Sequence, residues 1–134
     1  MAKRGLDKKR VVITGASSGI GWHLALQLAQ EQAEVVVCAR REERLAELKK
    51  EIESSGGKCL TVAGDITELQ TRTRLIETCE KELGGLDILI NNAGIGAMGR
   101  FDEADAKRMR EIFEVNFFAA VSYTHLTLPT IYSV

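Results

Sequence analysis

The sequence predicts an α/β fold built on a parallel sheet, and two observations carry that prediction. Four short apolar runs rich in β-branched residues alternate with longer amphipathic segments, and a glycine-rich turn joins the first run directly to the first segment. The predicted strands are Arg10–Thr14, Glu34–Ala39, Cys59–Gly64 and Leu86–Asn91. Runs that are apolar throughout are typical of strands buried on both faces, and helices between them imply right-handed βαβ crossovers.

The segments between the strands have helical periodicity, with apolar residues three or four positions apart. The residues expected to face the core are Ile20, Leu24 and Leu28 in the first helix, Leu45, Leu48 and Ile52 in the second, and Ile76, Cys79 and Leu83 in the third. Thr67 and Gln70 have the spacing of a capping box, which predicts Thr67 as the cap of the third helix. A fourth helix is predicted from its apolar stripe of Met109, Ile112, Phe113, Val115 and Phe117.

The composition is that of an ordinary globular domain of 134 residues with a net charge of −1. A balanced charge gives no basic field for nucleic acid or for an anionic membrane, and no apolar run approaches the length of a membrane span. The three cysteines have no metal-ligand spacing, so we expect no metal site and interpret them as buried thiols in a reducing compartment. The default location is the cytoplasm.

The first strand runs into its helix through a loop whose glycines, Gly15, Gly19 and Gly21, are spaced G-x3-G-x-G. Glycine permits a tight turn and lets backbone N–H groups approach a pyrophosphate, while the following helix presents its positive N-terminal end. The strand before and the helix after the loop are the context that a dinucleotide site requires. The alternative is a glycine turn with a purely structural role.

Three motifs follow the first, third and fourth strands: Thr14–Gly21, Gly64–Thr67 and Asn91–Gly94. Together they resemble the signatures of the short-chain dehydrogenase/reductase family, over residues 9–120. The resemblance implies a Rossmann-like doubly wound parallel sheet with strand order 3-2-1-4, truncated after about four strands. Residues 1–120 would form the N-terminal part of a single NAD(P)-binding domain, and the fourth strand would be a bare sheet edge.

The resemblance also implies a cofactor site. The loop would wrap the pyrophosphate, Asp65 would accept a hydrogen bond from the adenine amino group, and small residues would allow close approach to the ribose. The residues assigned to the cofactor on this basis are Gly15, Ser17, Ser18, Gly19, Ile20, Gly21, Asp65, Ile66, Asn92, Ala93 and Gly94. Asp65 could instead cap the next helix, and we expect Asn91 to brace the end of the strand.

The end of the second strand favours NADP(H) over NAD(H). Ala39 stands where an acid would bind the free ribose hydroxyls of NAD, and Arg40 and Arg41 follow it. Two guanidiniums suit a 2′-phosphate, because they form charge-assisted forked hydrogen bonds. The alternative is that these arginines only solvate the start of a helix that also carries Glu42 and Glu43.

Catalysis, as the resemblance implies it, needs an Asn, a Ser and a Tyr followed four positions later by a Lys. Asn116 matches the first of these, although it could simply bond within its helix. The chain has no Lys after Lys107, and Tyr123 is followed at the fourth position by Thr127. We therefore expect residues 1–134 alone to be inactive.

Residues 121–134 do not look like a continuation of the helix before them. The stretch from Val121 to Thr130 is identical to one translated frame of a transposase-based sequencing adapter. We interpret residues 121–134 as a non-native tail. The alternative is a genuine tail that matches by coincidence, and a nucleotide sequence without the adapter string would favour it.

The family resemblance predicts an NADP(H)-dependent oxidoreductase that moves hydride between the nicotinamide and a carbonyl or secondary-alcohol substrate of low molecular weight. A non-catalytic NAD(P)-binding sensor and a fragment without function are the alternatives. The stripe near Phe113 and Phe117 is expected to be the face of a homo-oligomer, although it could equally be core within a monomer.

Overall fold

A computed structural model describes the backbone of residues 5–131 and the side chains of residues 5–100 and 102–125. Four parallel strands form one sheet: Arg10–Thr14 (β1), Glu34–Ala39 (β2), Lys58–Ala63 (β3) and Ile88–Ile90 (β4). The strand order is β3-β2-β1-β4, as predicted. The first two strands have the predicted bounds, whereas β3 begins one residue earlier and β4 is half as long as expected.

The helical segments lie between and after the strands. They are Gly19–Gln30 (α1), Glu42–Ser54 (α2), Leu69–Thr78 (α3) with a π-helical extension over Cys79–Leu83, Ala106–Phe113 (α4), a π-helical segment over Glu114–Ala119, and Ala120–Ile131 (α5). A short 3-10 turn covers Phe101–Glu103. Each β–α–β unit returns to a parallel strand, which brings the carboxyl ends of all four strands to one edge of the sheet.

The sheet carries a hydrophobic core on each face, because successive side chains of a strand point to opposite sides. On one face the alternate strand residues Val11, Ile13, Val35 and Val37 pack against α1 and α2. On the other face the intervening residues pack against α3 and α5. Burial on both faces explains why the strands read as uninterrupted apolar runs, and it confirms the doubly wound arrangement.

The buried face of α1 differs from the prediction. Gly21, Ala25 and Ala29 face the sheet, whereas Ile20 is 78 % exposed. Leu24 and Leu28 are only partly buried at the edge of the core. The helix thus turns its small residues to the strands, since small side chains allow close helix–sheet approach. In α2, by contrast, Leu45, Leu48 and Ile52 are fully buried, as predicted.

The third helix also begins differently from the prediction. Its cap position is Glu68, and no side chain caps the helix there. The Thr67 hydroxyl instead donates to Asp65 Oδ1. Leu75 and Cys79 are the buried apolar residues of α3 and its π-helical extension, while the predicted core residues Ile76 and Leu83 are only partly buried.

The last helix does not end at Ala120, contrary to expectation. It runs from Ala106 through the π-helical segment to Ile131, and the Tyr123 side chain is fully buried in the core. Residues 132–134 lie outside the described part, and the interpretation of 121–134 as a non-native tail stays a prediction. The Phe113 and Phe117 side chains are more than half exposed.

Candidate functional site

A pocket of about 600 Å³ opens at the carboxyl ends of the strands. Its lining comes from the loops after all four strands and from the last helical segment. The lining residues are Gly15, Ser17, Ser18, Ile20, Cys38, Ala39, Arg40, Arg41, Gly64, Asp65, Ile66, Asn92, Ala93, Gly94, Ile95 and Val115. Of the residues assigned to the cofactor from the sequence, all but Gly19 and Gly21 line this one pocket. The crevice outside the carboxyl ends is where doubly wound sheets bind ligands.

Two positions of the loop require glycine, because neighbouring atoms lie too close for a side chain. Gly15 has φ of +69°, and a Cβ there would lie 2.7 Å from the Cα of Ala93. A Cβ on Gly21 would lie 2.5 Å from the carbonyl oxygen of Gly15 and 2.5 Å from Asn92 Nδ2. Gly21 therefore packs behind the loop rather than in the pocket. Because neither glycine carries a side chain, the loop packs closely against α1 and against the residues that follow β4. The side of the loop that faces the pocket is open to a ligand.

The N-terminal end of α1 faces the same pocket. Ser18 is its cap residue, no side chain caps the first turn, and the first turn carries no acid. The first N–H groups of the helix thus lack a side-chain acceptor, and the helix dipole favours an anion there. Ile20 stands exposed beside them. This geometry fits the pyrophosphate of a dinucleotide.

Asn92 ties the glycine loop to the sheet. Its Nδ2 donates to the carbonyl oxygens of Thr14 and Gly15, both at 3.1 Å. The Thr14 hydroxyl in turn accepts from the backbone N–H groups of Asn92 and Ala93 at 3.1 and 3.0 Å. Asn91 instead reaches α5, where its Nδ2 donates to the Thr124 hydroxyl at 3.0 Å. The role of Thr14 was missed by the sequence analysis, although its hydroxyl at the end of an apolar strand was a usable signal.

The end of β2 brings arginine and serine side chains together. Arg41 Nη2 donates to Ser17 Oγ at 2.9 Å and to Ser18 Oγ at 3.1 Å, and Arg40 lines the pocket beside them. Ala39 ends the strand without a carboxylate. Glu42 begins α2 but is not among the residues that line this pocket. The rim of the pocket here is therefore cationic and rich in hydroxyl groups.

The turn after β3 carries Asp65, the residue assigned to the adenine. Its Oδ1 accepts from the Thr67 N–H at 2.9 Å and from the Thr67 hydroxyl at 2.8 Å, so the carboxylate also closes a local turn. The buried Arg72 stabilises this turn, because its Nη1 donates to the carbonyl oxygens of Ile66 and Thr67 at 2.8 Å. Arg72 was missed by the sequence analysis. Its place three residues before the buried Leu75 was the available signal.

Asn116 lies in the π-helical segment, next to the pocket but outside its lining. Its Oδ1 accepts from the Ile95 N–H at 2.8 Å, and its Nδ2 donates to the Ile95 carbonyl oxygen at 2.9 Å. The side chain thus holds the segment after Gly94 in place. Single π-helical turns occur often at functional sites, where they redirect backbone groups.

The buried reactive groups near the pocket are held in their neutral forms. Burial raises the pKa of the Cys38 thiol to about 12, so this pocket residue is no nucleophile near neutral pH. Burial likewise raises the pKa of the Tyr123 phenol above its ordinary value. This tyrosine packs in the core and does not line the pocket, so it cannot serve as the proton donor there.

The described part of the chain, residues 5–131, contains neither a metal-binding cluster nor a membrane-spanning helix. No group of three or more His, Cys, Asp or Glu side chains in this part of the chain could hold a metal ion. Among the same described residues, no helix is both long enough and apolar enough to cross a membrane.

The chain is similar to proteins of known class over almost its whole length. It is 36 % identical over 125 residues to the ketoacyl reductase HetN of Nostoc sp. and 38 % identical over 126 residues to an 11-beta-hydroxysteroid dehydrogenase of Pinus massoniana. These alignments cover 93 % and 92 % of this chain, but 44 % and 35 % of the relatives. The chain therefore spans less than half the length of these two proteins.

The chain is also similar to solved structures of larger proteins. The L-sorbose reductase of Gluconobacter frateurii, crystallised with NADPH and L-sorbose, superposes with a TM-score of 0.92 at 33 % identity. The superposition covers 98 % of this chain and 51 % of that one. The sequence model of the family described as short chain dehydrogenase matches residues 9–133. With the motifs, the sheet order and the pocket in agreement with that match, the chain belongs to the short-chain dehydrogenase family.

Proposed function

We propose that the protein is an NADP(H)-dependent oxidoreductase that transfers hydride between the nicotinamide and a carbonyl or secondary-alcohol substrate of low molecular weight. One observation carries the cofactor choice: Arg41 bonds to the hydroxyls of Ser17 and Ser18 where β2 ends in Ala39 rather than in an acid. The reductases and dehydrogenase to which the chain is similar support the reaction class.

Different residues of the pocket would bind different parts of the cofactor. The N–H groups at the start of α1 would bind the pyrophosphate, with the Gly15 loop held in place by Asn92. The turn at Asp65 and Ile66 would receive the adenine. Ala93 and Gly94 would lie beside the nicotinamide ribose, where small residues permit close approach. The pocket lining includes residues of all three regions, as the binding of a whole dinucleotide requires.

The 2′-phosphate would bind at the end of β2. Arg40 and Arg41 offer guanidinium donors in a forked geometry that matches phosphate oxygens. The same site offers NADH little, because β2 ends in Ala39 rather than in a carboxylate that could accept from free ribose hydroxyls. We therefore assign NADP(H) as the preferred cofactor and NAD(H) as the weaker one.

The bound nicotinamide supplies the hydride chemistry. In this chain Asn116 would act as the catalytic-site asparagine by fixing the backbone at Ile95 beside the pocket. A Ser and a Tyr-x-x-x-Lys pair would complete the proton transfer, and no Lys follows Lys107 within the 134 residues.

Two further assignments belong to this proposal. Cys38, Cys59 and Cys79 are free and buried, which suits a reducing compartment and so the cytoplasm. The half-exposed Phe113 and Phe117 would contribute to the contact face of a homo-oligomer. No partner of nucleic acid or membrane is proposed.

Calorimetric titration of the protein with NADPH and NADH tests the proposal. We expect NADPH to bind at least about tenfold more tightly, and Arg41→Gln to remove about that factor for NADPH only, since a hydrogen bond to a charged group is lost. Lys50→Gln is the matched control, because it removes one charge from an exposed position of α2, the helix that Arg41 precedes. Equal binding of the two cofactors by the unmodified protein would contradict the NADP(H) assignment.

A further inference from the structure

A further arginine, Arg44, contacts the cluster of Ser17, Ser18 and Arg41 from outside the pocket. Arg44 lies one turn after Arg41 at the start of α2, and it is not among the residues that line the pocket. Its Nε donates to the backbone carbonyl oxygen of Ser17 at 3.2 Å. Arg44 thus holds the backbone of the same serine whose hydroxyl accepts from Arg41.

The Arg44 guanidinium is itself held on two further sides. Its central carbon lies 4.4 Å from the ring centroid of Trp22, the single tryptophan of the chain, one turn into α1. Its Nη1 forms an ion pair with Glu47 on α2. Arg44 therefore joins α1, the glycine loop and α2. The ion pair balances its charge, so we expect its effect on the pocket to be geometric rather than a long-range attraction.

The geometry that Arg44 holds is suited to a phosphate monoester. Ser17 Oγ and Ser18 Oγ both accept from Arg41 Nη2 and keep their own protons to donate. The result is a pair of O–H donors backed by a guanidinium at the rim of the pocket. Such a set recognises a dianionic oxyanion only while the donors keep their spacing. The backbone position of Ser17 sets that spacing.

We infer that Arg44 is a positioning residue for the 2′-phosphate of the cofactor, and that it acts through the Ser17 carbonyl without touching the phosphate. The inference rests on the proposed NADP(H) site. It makes cofactor selectivity depend on the Trp22–Arg44 stack between α1 and α2, which lies outside the pocket.

Calorimetric dissociation constants for NADPH and NADH, measured on the protein and on Arg44→Lys, test the inference. Lysine keeps the charge but has neither the planar stack nor the Nε donor. We expect the NADPH-to-NADH affinity ratio to fall by about fivefold, as the loss of a positioning hydrogen bond predicts. NADH affinity should change by less than about twofold, since NADH places no phosphate there. Glu47→Gln is the matched control, because it removes the ion pair but leaves the Ser17 and Trp22 contacts.

A double-mutant cycle separates positioning from general stabilisation. In a protein that already carries Ser17→Ala and Ser18→Ala, Arg44→Lys should no longer change the affinity ratio, because the hydroxyls that it positions are gone. Should Arg44→Lys fail to give a folded circular-dichroism spectrum, Trp22→Phe provides the second variant. It weakens the stack while it keeps a ring, and it should lower the ratio in the same direction.

The measurements distinguish failure of the Arg44 inference from failure of the proposed function. If Arg44→Lys lowers both affinities equally, leaves the ratio unchanged, or has the same effect with and without the serines, Arg44 is only structural and the inference is overturned, while the NADP(H) assignment stands. If the unmodified protein binds NADPH no better than NADH, the proposed function fails first, and the inference fails with it.

Discussion

Asn92 donates two hydrogen bonds to Thr14, one from its backbone and one from its side chain. The Asn92 backbone N–H donates to the Thr14 hydroxyl, and the Asn92 side-chain Nδ2 donates to the Thr14 carbonyl oxygen, each at 3.1 Å. Thr14 ends β1 and Asn92 follows β4 by two residues, so this pair sets the separation of two strand ends. The glycine loop leaves the sheet at this point, and its first carbonyl is held by the same amide.

Asn92→Ala should therefore weaken binding of NADPH and NADH alike by about tenfold, since the loop loses two hydrogen bonds that preorganise it. It should also lower the free energy of unfolding by about 1–2 kcal/mol. Calorimetry and urea denaturation measure the two effects. Asn91→Ala is the control, because that side chain is exposed and bonds to Thr124 rather than to the loop. Equal effects of the two variants on cofactor binding would contradict the prediction.

Ala39→Asp should reverse the cofactor preference. A carboxylate at the end of β2 would accept from the free ribose hydroxyls of NADH and would repel a 2′-phosphate. We expect NADPH affinity to fall by about tenfold or more while NADH affinity holds or rises. Ala39→Asn adds nearly the same volume without the charge and serves as the control. A preference for NADPH that survives in the aspartate variant would show that the 2′-phosphate binds elsewhere.

Asp87→Asn should destabilise the protein and remove part of its acid sensitivity. Arg10 donates to both carboxylate oxygens of Asp87 at 2.9 Å, and this fork joins the start of β1 to the residue before β4. The hydrogen bonds from Arg10 lower the Asp87 pKa from 3.8 to about 2. Because the folded-state pKa is the lower one, the stabilisation is present above the ordinary pKa and is lost as pH falls through the folded value.

We expect Asp87→Asn to cost about 1–2 kcal/mol near neutral pH, after allowance for partial solvent screening, and little at pH near 2. Urea denaturation across this pH range measures the difference. Asp102→Asn is the control, since Asp102 accepts from Arg100 on the surface and should affect stability little. An Asp87→Asn protein with the same pH dependence as the unmodified chain would contradict the assignment.

The three cysteines should resist alkylation in the folded protein. Cys38, Cys59 and Cys79 are each 1 % exposed, and burial raises the pKa of each thiol to about 12. Very little thiolate is then present at about pH 8, where alkylation is usually run. Mass spectrometry after iodoacetamide treatment should find no modified cysteine in the folded protein and three in urea. Rapid labelling of any one cysteine without denaturant would show that its strand or helix opens locally.

Much of the fold was predictable because its signals are local. The four apolar runs and the helices between them predict the parallel sheet, and the strand order was implied by the family resemblance. The glycine spacing and the motifs after β3 and β4 placed most of the assigned cofactor residues at one edge of the sheet, where the structure forms a pocket. Their individual binding roles, and the catalytic role of Asn116, stay predictions.

The sequence by itself determined the parallel sheet and the place of the glycine loop, because hydrophobic periodicity and glycine spacing are read from neighbouring residues. Only the tertiary structure decided which face of α1 is buried, since close approach to the sheet selects Gly21 and Ala25 over the larger Ile20. It also decided that Asn92 holds the loop and that Arg44 contacts Ser17. Such contacts join residues 27 to 77 positions apart, and their distances and angles exist only once the chain has packed.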